Sequence, residues 1–180
     1  MSDSAHHSPD QFDEYAAELA GQSRDRVMRP AIEQMVRKFL HAIQEDGRAA
    51  GTILDFFGDN PTVIYGLKEP GWIWTGREEM EQCFGGSGKR EFRIVPKIIV
   101  VDRSRVTCHV VNFEFDAGDF DSFKEIQRII VFDLDKNNRI ERLEYRDVAG
   151  TTQKRKGGRK VLEALAAEIE KGAVAVDYLS

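Results

Sequence analysis

Apolar residues recur at three- and four-residue intervals along the first third of the chain and at two-residue intervals along most of the rest. The first period predicts helices, the second strands. From Pro9, Phe12, Tyr15, Ala16 and Leu19 share one helical face, and Gly21 is positioned to end that short helix. Ser23 is placed to cap a long second helix with Met28, Ile32, Met35, Val36, Phe39 and Ile43 on its apolar face, Pro30 in or near its first turn and Asp46-Gly47 at its end. A third, short helix is expected over residues 48–59, turning Ile53, Leu54 and Phe57 inward and stopping at Gly58 or Asn60. "TVIYG" and "WIWTG" then read as two short strands around a Pro70-Gly71 turn. "REEMEQCF" reads as a brief helix and residues 85–89 as a loop.

Four strands follow, at about 91–101, 105–116, 123–134 and 139–148. The breaks between them are short and polar, so consecutive strands pair antiparallel as a meander. Pro96 marks a bulge or an edge in the first of the four. "RKVLEALAAEIEKG" closes the chain's pattern as a helix with Val161, Leu162, Leu165 and Ile169 on one face. Helices before a meander predict an α+β fold: a cone-shaped roll in which the N-terminal helices pack on a strongly curved antiparallel sheet and enclose a pocket. The expected organisation is an N-terminal extension with a short helix (1–22), the cone domain (23–150), and a basic linker with the C-terminal helix (151–180).

Composition narrows the function more than the fold. A hydrophobic fraction of 41% and a charged fraction of 32% over 180 residues suit one soluble domain with a substantial core. The formal net charge of −5 argues against nucleic acid as a partner, since phosphate binding needs surplus Lys and Arg. No apolar run reaches the roughly 20 residues that span a bilayer, so no membrane role is expected. The N-terminal residues show no basic-then-apolar signal, and Cys83 and Cys108 lie on different elements without metal-ligand spacing. Reduced thiols and a cytoplasmic location are the expectation.

The last hairpin can be put in register from the sequence. A four-residue "DKNN" loop pairs Ile130 with Leu143, Arg128 with Tyr145, and Ile126 with Asp147. Arg142, Glu144 and Arg146 then face water, and Leu143, Tyr145 and Arg128 point inward. If residue 116 pairs with 123, then His109, Val111, Phe113 and Phe115 join that inner face; a one-residue slip replaces them with Cys108, Val110, Asn112 and Glu114. Arg128 on an apolar face needs acceptors. Asp147 is the nearest, as a structural ion pair or as part of a site where Arg128 meets an anionic or carbonyl oxygen. His109 is either a satisfied core histidine or an acid–base group. Trp72 and Trp74 lie two apart, so both rings face the same way, as core or as one wall of the pocket.

"ILDFFGDNPTVIYG", "TGREEMEQCF" and the meander ending "RIERLEYRDV" resemble the nuclear-transport-factor-2-like superfamily, most of all its SnoaL-like and ketosteroid-isomerase-like branch, over roughly residues 25–150. The resemblance implies a cone of helices over a curved sheet, an apolar interior pocket and a homodimer. The catalytic sets of relatives do not transfer. Ketosteroid isomerases keep a general-base aspartate where this chain has Tyr65, a protonated aspartate where it has Arg128, and a tyrosine near Phe39. Limonene-epoxide-hydrolase-like members carry an Asp-Arg-Asp group whose places fall at Val111, His109 and Asp147. Scytalone-dehydratase-like members use paired histidines and tyrosines, against His109 and His41 here.

What remains is a pocket with its own polar set. Asp147, His109, Arg128 and Tyr65 are the candidate acid–base residues, with Asp147 or His109 taking a proton and Arg128 steadying an enolate. Tyr145, Trp72, Trp74, Phe39, Phe113, Ile130 and Leu143 are the candidate ligand wall. Such a set suits an isomerase, dehydratase or cyclase acting on a small aromatic or polyketide-like carbonyl compound, or a non-catalytic binding or dimerisation module. No metal and no organic cofactor is called for. Residues 133–144 approach a calcium-loop spacing but have Asn138 where glycine belongs and follow a strand, so a hairpin turn explains them. "KRKGGRK" (154–160) lacks phosphate-loop spacing and reads as a solvated linker.

Overall fold

The computed structural model describes residues 24–44, 50–66, 71–85, 92–116 and 118–176. The helix expected from Pro9, the loop at 86–89 and the Pro70 half of the first turn lie outside the described residues. Helix α1 (Arg24–Ala42) begins early enough that Pro30 sits inside it. Its periodic stripe holds: Ile32, Val36, Phe39 and Ile43 are buried, and Met28 and Met35 pack against them. Helix α2 is shorter than expected (Ala50–Leu54), because Phe57 already opens strand β1 (Phe57–Tyr65). The aromatic side chain fits a pleated, half-buried surface better than another helical turn, and Phe57 pairs with Ile140 on a later strand. Strand β2 (Trp72–Thr75) and helix α3 (Gly76–Gly85) follow.

The meander is β3 (Phe92–Asp102), β4 (Arg105–Asp116), β5 (Asp119–Leu134) and β6 (Ile140–Asp147). The basic run departs from the expected linker: Gln153–Lys156 forms strand β7 along the start of β5, with Arg155 2.8 Å from Glu125. Helix α4 (Arg159–Lys171) and a short β8 (Val174–Val176), parallel to β3, come last. The sheet order is β2-β1-β6-β5-β4-β3-β8, with β1 parallel to β6 and the meander antiparallel. Bulges curve it; one falls between Pro96 and Ile98, where proline can donate no ladder bond. Among the described residues no helix is long and apolar enough to cross a membrane.

Two cores lie on the two faces of this curved, unclosed sheet. The inner one joins α1, α2 and α3 to the concave face through Phe39, Phe57, Phe84, Phe132, Ile130 and Leu143. Phe39 sits at its centre, edge-on to Phe56, Phe57, Phe84 and Phe132 at 5.6–6.4 Å between ring centroids. The outer one lies under α4, where Leu162 and Ala166 cover Val95, Val111, Phe113, Phe115 and Phe123. Leu165 and Ile169 flank that contact as expected, but Val161 points away and is exposed.

Candidate functional site

Register decides which residues meet. On β6 the observed partners are Arg128 with Asp147, Ile130 with Tyr145 and Phe132 with Leu143, two residues from the expected pairing. Leu134 pairs with Ile140, one residue beyond the expected partner, and a bulge between Asp133 and Leu134 adds the second. A shift of two keeps every side chain on its face, so Arg128, Tyr145, Leu143 and Asp147 share the inner face as expected.

On β4 the shift is a single residue, and it inverts the strand. Phe115, not Asp116, pairs with Phe123. Asp116 pairs with Asp119, so the connection is tight, and Gly118 takes φ +83°. The stretch "AGDFDS" is therefore mostly strand rather than loop. His109 consequently points outward beside Ile98 and Ile129 and is exposed. Phe113 is fully buried, but in the outer core under α4. Neither reaches the pocket. Cys108, Val110, Asn112 and Glu114 face inward instead.

The concave face encloses a cavity of about 490 Å³ between the sheet, the end of α1 and α3. Ile43, Val63, Phe84, Phe92 and Ile94 form its apolar lining, with Cys83 on the α3 side. Trp72 and Trp74 form one wall, their rings nearly parallel with centroids 6.2 Å apart. Tyr65 and Tyr145, paired across β1 and β6, bring their rings to 5.6 Å. The remaining wall is polar: Asn112, Glu114 and Arg128. Phe39, Ile130 and Leu143 are fully buried in the inner core and do not line the cavity.

Arg128 is 7% exposed and is the centre of the polar wall. Its Nε donates to Asp147 Oδ1 at 2.5 Å, its Nη1 donates to Glu114 Oε1 at 2.9 Å, and its guanidinium lies 5.7 Å from the Tyr65 ring centroid. Burial alone favours the neutral guanidine, but the Asp147 hydrogen bond, Tyr65 and Glu114 outweigh it and hold the pKa above its ordinary value. The cation is thus fixed. Glu114 Oε1 also accepts from Asn112 Nδ2 at 2.5 Å. Among the described residues, no hydrogen bond is made from Arg128 Nη2 or to Glu114 Oε2. Beside an apolar cavity the site therefore offers a fixed cation with donors to spare and a carboxylate with one oxygen open, a pairing able to hold an oxyanion and move a proton. Burial pushes the inward Cys108 thiol up to about 12, which leaves it inert at neutral pH. Among the described residues no group of three His, Cys, Asp or Glu is placed to hold a metal ion.

Asn112 and Glu114 are the residues that reading for inner-face polar groups did not choose. Their signal was present in the sequence as the alternative register of β4. The single-residue choice turns on a bulge at Phe115 and a tight connection, and neither leaves a mark in hydrophobic alternation.

No family model and no curated protein matches the sequence. Solved structures do match by shape. The epoxide hydrolase/cyclase-like enzyme SalBIII, described for pyran ring formation in the polyether salinomycin, superposes with a TM-score of 0.57 at 16% identity, covering 72% of this chain and 97% of its own. A computationally designed 17-OHP binder gives 0.55 at 11% identity over 67% of this chain and 94% of its own. A ketosteroid isomerase candidate from Kribbella flavida gives 0.51 at 14% identity over 73% and 86%. Identities this low speak for the fold and leave activity to the site. The chain has the nuclear-transport-factor-2-like fold shared by SnoaL-like and ketosteroid-isomerase-like proteins.

Proposed function

We propose that this protein binds a small aromatic or polyketide-like carbonyl compound and carries out acid–base chemistry on it without an organic cofactor, as an isomerase, dehydratase or cyclase. One observation carries the reading: a buried arginine, shared by two carboxylates, faces an aromatic-walled cavity in which one glutamate oxygen stays open. In this reading a ligand carbonyl oxygen accepts from Arg128 Nη2. Glu114 Oε2 takes a proton from the carbon beside that carbonyl, and the electron pair moves onto oxygen as an enolate held by Arg128. Glu114 then returns the proton to another carbon or to a departing hydroxyl. Asp147, its side chain 59% exposed at the rim, holds Nε and so fixes the guanidinium. Tyr65 covers the guanidinium with its ring, and Trp72, Trp74 and Tyr145 hold the ligand's apolar body.

The same fold in a designed 17-OHP binder, and the two acids already bonded to Arg128, favour a second reading as a binding module without turnover. Exchange of the α-protons of 1-tetralone in heavy water, followed by NMR, separates the two. The acid–base reading expects exchange well above the buffer rate in the native protein and its loss in Glu114→Gln. Binding of 1-tetralone with no exchange above buffer supports the module and ends the catalytic reading. We place the protein in the cytoplasm, where thiols such as Cys83 and Cys108 are kept reduced. We also propose a homodimer through the part of the outer sheet face that α4 leaves open, where Ile73 is 63% exposed.

A further inference from the structure

Asn112 is a polar residue of the inner face that the proposed chemistry does not use. It is 1% exposed and lines the cavity, flanked on the neighbouring strands by Ile94 and Ile126. Its amide cannot be turned freely. Glu114 Oε1 already accepts from Arg128, so the end of the amide facing that carboxylate must be the donor, Nδ2. That fixes Oδ1 at the other end. There it is closed off from bulk water and accepts no hydrogen bond from any described residue. A buried acceptor left unpaired costs about 1–3 kcal/mol, and native interiors seldom tolerate one without a reason. The neighbouring side chains on β3 and β5 are aliphatic and have nothing to donate. The cavity that Asn112 lines is the side from which a donor for Oδ1 can come.

We infer that Asn112 is a specificity-determining residue: it selects ligands that carry a hydroxyl group on the same scaffold as the carbonyl held by Arg128. The inference rests on the carbonyl-binding reading of the cavity and narrows it to hydroxy-carbonyl compounds. The three polar groups form a row, from Arg128 Nη1 through Glu114 Oε1 to the Asn112 amide, joined by contacts of 2.9 and 2.5 Å. A ligand matching that row presents an acceptor to Arg128, a removable proton to Glu114 and a donor to Asn112. A site built this way also discriminates sharply, because a ligand lacking the hydroxyl leaves Oδ1 buried and unpaired in the complex.

The test compares 1-tetralone with its 5-, 6- and 7-hydroxy isomers, which move a hydroxyl around one rigid ketone. Binding is read from quenching of tryptophan fluorescence, since both tryptophans of the chain are in the cavity wall. At least one isomer should bind the native protein about tenfold more tightly than 1-tetralone, the scale of one good hydrogen bond. Asn112→Val should bind all four ketones alike, at the affinity of the parent. Should the valine variant fail to fold, Asn112→Ala makes the same comparison with less bulk between Ile94 and Ile126. A native protein without preference, or a preference that survives in the variant, overturns the inference and leaves the acid–base reading standing. A preference confined to the native protein together with no α-proton exchange upholds the inference and overturns the acid–base reading. Binding of none of the ketones contradicts both.

Discussion

Strands β5 and β6 carry a buried charge on each face, and the two sites are near mirror images in sign. On the inner face the buried group is a cation, Arg128, between the anions Glu114 and Asp147. On the outer face it is an anion, Glu144, 2% exposed, between the cations Arg142 and Arg146. The outer site is saturated. Glu144 Oε1 accepts from Arg146 at 2.6 Å and Oε2 from Arg142 at 2.5 Å, and Arg142 reaches on to Asp133, which Arg105 also holds. The inner site leaves Arg128 Nη2, Glu114 Oε2 and Asn112 Oδ1 without protein partners among the described residues, beside a cavity. The difference is one of unused capacity. Burying a charge is costly either way. A fully paired cluster returns that cost as structure, whereas one with spare donors and acceptors against a void can meet a ligand.

The contrast can be broken by substitution, and the largest effect belongs to the inner site. Arg128→Met should lose α-proton exchange by at least about a hundredfold and stability by about 1–3 kcal/mol, because the partly buried Glu114 is left without its cation. Urea unfolding and NMR exchange read the two losses separately. Glu144→Gln should cost about 1–3 kcal/mol by the same unfolding measurement while leaving 1-tetralone exchange unchanged. Loss of exchange in this variant would contradict the division of labour between the faces.

A smaller and more specific effect follows from pH. The hydrogen bond from Arg146, with Arg142 beside it, holds the Glu144 carboxyl below the usual glutamate range despite its burial. A carboxyl whose pKa is lower folded than unfolded adds stability that is fully present above its unfolded pKa, about 4.3. That stability disappears as pH falls through the lower folded value. The stability gap between the native protein and Glu144→Gln should therefore be constant from neutral pH down to about 5 and shrink below about 4. The smallest expected effect is that of His109→Ala, within about 0.5 kcal/mol in stability and without change in exchange, because His109 is exposed on the outer face. A loss of exchange there would restore the inward register of β4.

The sequence carried the order of elements from α1 to β6, the four-strand meander and a bulge or edge at Pro96, because each is written locally in period, turn residues or backbone chemistry; it carried neither β7 nor β8. It also put Arg128 and Tyr145 on the inner face and offered Tyr65 as a pocket residue, with Trp72 and Trp74 as core or cavity wall. The β5–β6 hairpin tolerated a pairing error because that error was even: moving the partner of Arg128 from Tyr145 to Asp147 changes a neighbour and not a face. On β4 the error was odd, and it exchanged Asn112 and Glu114 for His109 and Phe113. Alternation could not decide, since both faces of β4 are apolar: one meets the inner core and the other meets α4. Two buried faces erase the polar side that normally fixes register. The role of Phe39 was obscured for a different reason. Its helical face was correct, but the depth of a side chain below a cavity floor depends on packing from several elements at once.

Side-chain NMR of ¹⁵N-labelled protein titrated with 1-tetralone tests the central claim most directly. The account predicts shifts at the Trp72 and Trp74 indole N–H groups, Asn112 Nδ2 and Arg128 Nε, with Arg105 Nε and Arg146 Nε on the outer face unmoved. Shifts confined to the outer arginines, or none at the inner four groups at saturating ketone, would contradict it.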